Sequence, residues 1–214
     1  MATSQNTLIG RASGSVDGVT FLTIFRQNVM RAKMAAQTNP NSTAQQSQRF
    51  KYGFLFETYK NIKNIVDLGI YDYTRKMTFW NAFQKLNMKN VFIDNGTATP
   101  NIVLSNLIIT KGLLPKFRVL IFTVRATGLN SSFLWSTAIG NGRLFTDKLS
   151  VVMYCEQTNS WQSNYNVATR VNASINLPTT LLCNTGDTVH VWLMFSTANT
   201  KKFQDSQYYM ATVA

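Results

Sequence analysis

Apolar side chains recur at steps of mostly three and four residues through Phe50, Phe54, Leu55, Tyr59, Ile62 and Val66, and the spacing predicts a helix with one apolar face. Just ahead of it, Asn39-Pro40-Asn41-Ser42 reads as a turn, because Pro40 fixes its own φ and pushes Asn39 out of the helical region. Ser42 or Thr43 is placed to cap the helix, with Gln45 or Gln46 as the reciprocal partner of a capping box. The helix is expected to run to about Leu68, with Gly69 as its C-terminal stop. A second helix is expected from Tyr73 to Leu86, with Met77, Trp80, Ala82 and Phe83 as its apolar positions. Lys85 and Lys89 near its end suit the helix dipole, and the pair reads as a helical hairpin.

On either side of the helices the period changes to two. Val19, Phe21 and Phe25 alternate with Thr20, Leu22 and Ile24; Arg26-Gln27-Asn28 interrupts, and Val29–Lys33 resumes the alternation. This predicts a β-hairpin with Arg31 and Lys33 on one face and Met30 and Ala32 on the other, preceded by fifteen small, polar residues that read as an arm. A two-stranded hairpin alone is marginal in water, so it must lie on the rest of the molecule or on a neighbouring subunit. Beyond Asn95-Gly96, seven strands are expected at Ile102–Thr110, Phe117–Ala126, Ser132–Ala138, Leu149–Glu156, Tyr165–Ile175, Thr188–Ser196 and Gln207–Val213. The expected fold class is therefore α+β: an N-terminal arm and hairpin (1–37), a helical hairpin (38–90) and a C-terminal antiparallel immunoglobulin-like β-sandwich (91–214), with a jelly roll or small open barrel as alternatives.

Charge adds a direction to this picture. Of a net +12, residues 1–90 carry +8, an excess that suits a polyanion or an acidic protein surface. Arg11, Arg26, Arg31, Lys33, Arg49 and Lys51 lie among Phe21, Phe25, Phe50 and Tyr52, a mixture that can meet phosphates and stack on bases or pack on another protein. No apolar run reaches the roughly 20 residues that cross a membrane. The start lacks the pattern of a signal peptide, so synthesis in a cytoplasm is expected. Cys155 and Cys183, each in an apolar run, read as buried free thiols, with a pair across two sheets as the alternative.

Candidate chemistry is sparse. His190 is the single histidine and reads as a half-buried strand residue; the two cysteines are not at ligand spacing, so no metal site is expected. The carboxylates are scattered apart from Asp67 and Asp72, which flank the link between the helices. No nucleophile elbow, phosphate-binding loop or dinucleotide fingerprint occurs, so neither an enzyme nor a cofactor is expected. Trp135, Trp161 and Tyr165 are candidates for stacking on sugars, although such aromatics more often belong to a core.

Taken together, Gly10-Arg11, Gly14, Asn28-Val29-Met30-Arg31, Asn39-Pro40-x-x-Thr43-x-Gln45-x-x-Gln48-Arg49-Phe50, Trp80-Asn81-Ala82, Gly186-Asp187-x-Val189 and Asp205-Ser206-x-x-Tyr209 carry a resemblance. The chain resembles a Bacteroidota family of domains of unknown function found in chromosomes and phage genomes. Its central stretch is similar to a segment of small phage structural proteins, in which a basic hairpin precedes the helix. Ser42 stands where that pattern has a basic or polar residue before Thr43. The resemblance implies no enzyme activity and no cofactor, and points to a virion component.

The expectation is a non-enzymatic structural protein of a tailed-phage particle, in a neck or tail ring or as a capsid auxiliary protein. Its partners would be itself, other virion proteins and packaged DNA. Arg11, Arg26, Arg31, Lys33 and Arg49 would make polar contacts, and Phe21, Phe25 and Tyr52 apolar ones. The rival expectations are a nucleic-acid-binding protein that reads with its first 90 residues, and a carbohydrate- or surface-binding module.

Overall fold

A computed structural model describes residues 2–4, 13–24, 27–33, 41–70, 77–139, 142–199 and 202–214. The chain is mixed α+β and mostly strand, and it divides into two compact units, Met1–Asn41 and Ser42–Ala214. The turn at Asn39-Pro40 lies outside the described residues.

The first unit holds β1 (Ala2–Ser4), β2 (Gly14–Val16), β3 (Val19–Ile24) and β4 (Gln27–Ala32), in the order β1-β4-β3-β2. The expected hairpin is there as β3 and β4, but it sits inside a four-stranded antiparallel sheet. Thr3 pairs with Val29 and Ser15 with Thr20, so segments read as a loose arm supply both edges. Pairing across the sheet places Val16, Val19, Phe21, Met30 and Ala32 on one face. Thr20, Leu22, Val29 and Arg31 lie on the other.

The second unit opens with α1 (Thr43–Gly69). Ser42 is its N-cap, and the capping box with Gln45 is complete in both directions. Its inward stripe is Ser47, Lys51, Leu55, Thr58, Ile62, Ile65, Val66 and Gly69, with Phe50, Phe54 and Tyr59 half-buried beside it. Gly69 belongs to the helix and does not stop it by a left-handed turn. A Cβ there would run into the Thr110 side chain, so close packing is what needs glycine. α1 kinks at Ile62 (φ −118°, ψ 16°), and the Ser163 hydroxyl donates to the Asn61 carbonyl at 3.4 Å beside the kink. The second helix, α2, spans Phe79–Asn87 and is capped by Thr78, so Met77 and Thr78 precede it; residues 73–76 of the expected span lie outside the described residues.

Two-residue strands β5 (Phe92–Ile93) and β6 (Asn101–Ile102) follow. The strand expected at Ile102–Thr110 is not one. After Ile102 the chain makes a 3-10 turn at Leu104–Asn106, and Leu107 and Ile109 pack into a core without a ladder. A three-stranded sheet contains β7 (Val119–Thr123), β8 (Asn130–Trp135) and β11 (Ser174–Pro178), in the order β11-β8-β7. A four-stranded sheet contains β9 (Lys148–Cys155), β10 (Ser160–Thr169), β12 (Thr188–Ser196) and β13 (Gln207–Thr212), in the order β10-β9-β12-β13. The single strand expected at Tyr165–Ile175 is two. The break is a turn at Arg170–Asn172 with Ala173 at φ 59°, and the strands on either side of it join different sheets.

The central sheet is buried on both faces. Val151, Met153, Val189, Val191, Leu193 and Phe195 share one cluster with Phe133 and Trp135 of the three-stranded sheet. The alternate residues Val152, Tyr154, Trp192 and Met194 share a second cluster with Leu55, Ile62 and Val66 of α1 and Phe83 of α2. Each fully buried large side chain contributes about 1.5–3 kcal/mol, so β9 and β12 anchor both layers. Cys155 and Cys183 are free and buried in the first cluster. At one end, the fully buried pair Arg170 and Asp147 (3.3 Å) lies with the guanidinium 4.2 Å from the Phe195 ring centre.

Candidate functional site

Amphipathic strands of the first unit build an apolar surface. On β2, β3 and β4, alternate positions carry Val16, Val19, Phe21, Met30 and Ala32. Val16 is 68% exposed, and Val19 and Met30 are each 37% exposed. Among the described residues, none of this unit belongs to either buried cluster, and Val29, on the other face, is its one buried side chain. Arg31 points away from the apolar face, and both it and Lys33, just beyond β4, are exposed. Arg11, Arg26 and Phe25 lie outside the described residues.

The second unit carries the remaining sequence candidates. Arg49 and Tyr52 line a shallow groove on the outer side of the first turns of α1, together with Gln45 and Gln48. Lys51 does not join them. Its position on the inward stripe buries it, and its ammonium group meets the Asp94 carboxylate at 2.5 Å with the Ser47 hydroxyl alongside. It is therefore a packing and pairing residue, unavailable to a polyanion. The structure brings Arg49 and Tyr52 together on one surface, and puts Arg31 and Phe21 on opposite faces of another.

His190 also departs from expectation. It is expected to be half-buried, but only 6% of it is exposed, because the rings of Tyr154, Trp192 and Tyr208 pack around it. Its Nδ1 lies 2.8 Å from the Tyr208 hydroxyl and its Nε2 3.6 Å from the Glu156 carboxylate. Burial pulls its pKa below the ordinary value, and Glu156 opposes this without reversing it. Asp67 accepts a hydrogen bond from the Tyr59 hydroxyl at 2.6 Å, a bond within α1 that spans the kink at Ile62. Among the described residues no three His, Cys, Asp or Glu side chains converge on a point where a metal could sit. No helix among them is long and apolar enough to cross a membrane.

The three aromatics singled out for stacking have separate fates. Trp135 is 2% exposed, its indole N–H donating to the Arg170 carbonyl at 3.0 Å. Tyr165 packs half-buried against the helix-side cluster. Trp161, on edge strand β10, lines an open cleft against α1. The sequence reading gave no sign of that cleft, because its two walls come from segments about a hundred residues apart.

No curated protein and no solved structure matches the chain. A family match runs over residues 9–210, nearly the whole chain, and takes in β2 to β4 of the N-terminal sheet, both helices and all but the last residues of the β-rich remainder. The chain belongs to DUF6266, a family of unknown function.

Proposed function

We propose that this chain is a non-enzymatic structural subunit that assembles with copies of itself through the apolar face of its N-terminal sheet. The observation that carries this reading is the face itself: Val16, Val19, Phe21, Met30 and Ala32, exposed or half-buried, on a unit whose described residues add nothing to either buried cluster. A sheet of about 40 residues buries too little to be stable alone and usually needs a staple or a partner. A second copy of the same face is the partner whose chemistry matches it. Two such faces stack at roughly 10 Å in a self-complementary, two-fold arrangement.

The resemblance to small phage structural proteins extends this reading to a tailed-phage particle, in a neck or tail ring or as a capsid auxiliary protein. On this reading Arg31 and Lys33, exposed and off the apolar face, meet packaged DNA or an acidic neighbour. Arg49 and Tyr52 offer a second contact from the outer side of α1. The two sheets that share a core form an outward module, which we read as an immunoglobulin-like sandwich.

The test is the mass in solution over a range of concentrations, for the wild-type chain and for a double variant, Val19→Asp with Met30→Glu. Both substitutions fall at exposed positions of the first unit. A discrete or concentration-dependent oligomer that the double variant loses is expected. A wild-type chain that stays a monomer throughout would overturn self-assembly, and salt-steep DNA binding by that monomer would establish the nucleic-acid alternative.

A further inference from the structure

We propose that the cleft between α1 and the outer edge of β10 is a binding site for a neutral pyranose ring of a glycan. The cleft encloses about 490 Å³, within the range of small-molecule sites. One wall is Trp161. Its ring is held on the inner side by Tyr154, whose centre lies 4.4 Å away, and by Trp192, near-parallel at 5.8 Å. Trp161 stands on the helix-side face of β10, an edge strand among the described residues, and borders the cleft with its ring already packed. Phe50 and Phe54 of α1 face it. A rigid aromatic ring beside open space suits the C–H face of a sugar.

The polar groups of the cleft fit hydroxyls. Asn159 accepts the Tyr154 hydroxyl bond at 3.1 Å, which leaves its amide N–H groups to donate. Asn61 spends its amide N–H on the Glu57 carbonyl at 2.9 Å, which leaves its side-chain oxygen to accept. The Glu57 carboxylate is exposed and makes no ion pair or hydrogen bond among the described residues. The cleft thus offers both donors and acceptors beside an aromatic ring. With no Lys or Arg among the lining residues and a carboxylate present, the site disfavours an anionic ligand such as nucleic acid or an acidic sugar.

Gly53 supplies an independent indication. It sits inside α1 on the wall of the cleft, where glycine weakens a helix by about 1 kcal/mol relative to alanine. A Cβ built on it would meet nothing within 4 Å, so no contact inside the chain requires its absence. The missing side chain keeps the wall open and lets a ligand approach the helix backbone. The Ser163 bond to the Asn61 carbonyl ties α1 to β10 at the end of the cleft, so the two walls are preset.

The test uses the full-length chain on an array of defined neutral and acidic glycans, followed by titration of tryptophan fluorescence with methyl glycosides of the sugars retained. Two variants accompany it: Trp161→Ala, and Gly53→Leu, which fills the cleft without removing any contact. Retention of neutral glycans is expected, weakened about two- to tenfold in each variant, the scale of one stacking contact. The melting temperature of Gly53→Leu should be equal to or above wild type. No retained neutral glycan, retention of acidic glycans alone, or binding that Gly53→Leu leaves unchanged would each overturn the proposal.

Discussion

An added methyl group at Gly112 would run into the backbone carbonyl of Phe203, while one at Gly69 would meet the side chain of Thr110. At Gly69 the Thr110 Cγ2 can rotate away although its Cβ cannot, whereas at Gly112 every atom in the way is backbone. Gly112→Ala should therefore cost more stability than Gly69→Ala, within the roughly 1–3 kcal/mol typical of overpacking, as read from urea midpoints. His190 gives a second prediction. Burial holds its folded pKa below the unfolded value of about 6.5, so below that pH the unfolded chain takes up a proton that the folded chain resists. Stability should be fully present above pH of about 6.5 and fall on acidification toward the lower folded pKa, with Glu156, Tyr154 and Tyr208 around the ring. His190→Gln should flatten that part of the profile of melting temperature against pH. An unchanged slope would show that the carboxylates alone cause it.

Asn87 ends α2 and stands in for a missing strand. Fully buried, it accepts from the Ile108 N–H at 2.8 Å and donates to the Ile108 carbonyl at 3.0 Å, while Ser206 accepts from the Ile109 N–H at 3.1 Å. This lets the segment after Ile102 stay buried without a ladder. Asn87→Leu should orphan both Ile108 groups, at roughly 1–3 kcal/mol each, with Asn87→Asp, which keeps the acceptor, intermediate in denaturant unfolding. The period-two pattern of Ile102–Thr110 could not reveal this, since the partner is a side chain from another element. The same holds for the break in Tyr165–Ile175, where the turn is held by the buried Arg170 and its distant partner Asp147. What the sequence made legible was local: the Ser42 cap, the stripe of α1, and β12 to the residue at both ends. Of the site, the alternation that puts Met30 and Ala32 opposite Arg31 was legible. The pairing of Thr3 with Val29, which turns a hairpin into a sheet, was not, because nothing in three small residues announces a strand.

At the scale of the whole molecule, the chain joins two units of very different burial. The larger one has a central sheet packed on both faces, so it has ample reason to fold by itself. The smaller one has a sheet with an apolar face and one buried side chain among those described. This asymmetry is why association is assigned to the first unit and ligand binding to the second. The account therefore predicts independent failures: charges at Val19 and Met30 should abolish assembly and leave the Trp161 cleft intact, and filling the cleft at Gly53 should do the reverse. Hydrogen exchange followed residue by residue as protein concentration is raised tests the central claim most directly. Amides of β3 and β4 should gain protection as the chain associates, while those of β9 and β12, already deep in the second unit, stay unchanged. Protection of β3 and β4 that does not depend on concentration would contradict assembly through this sheet.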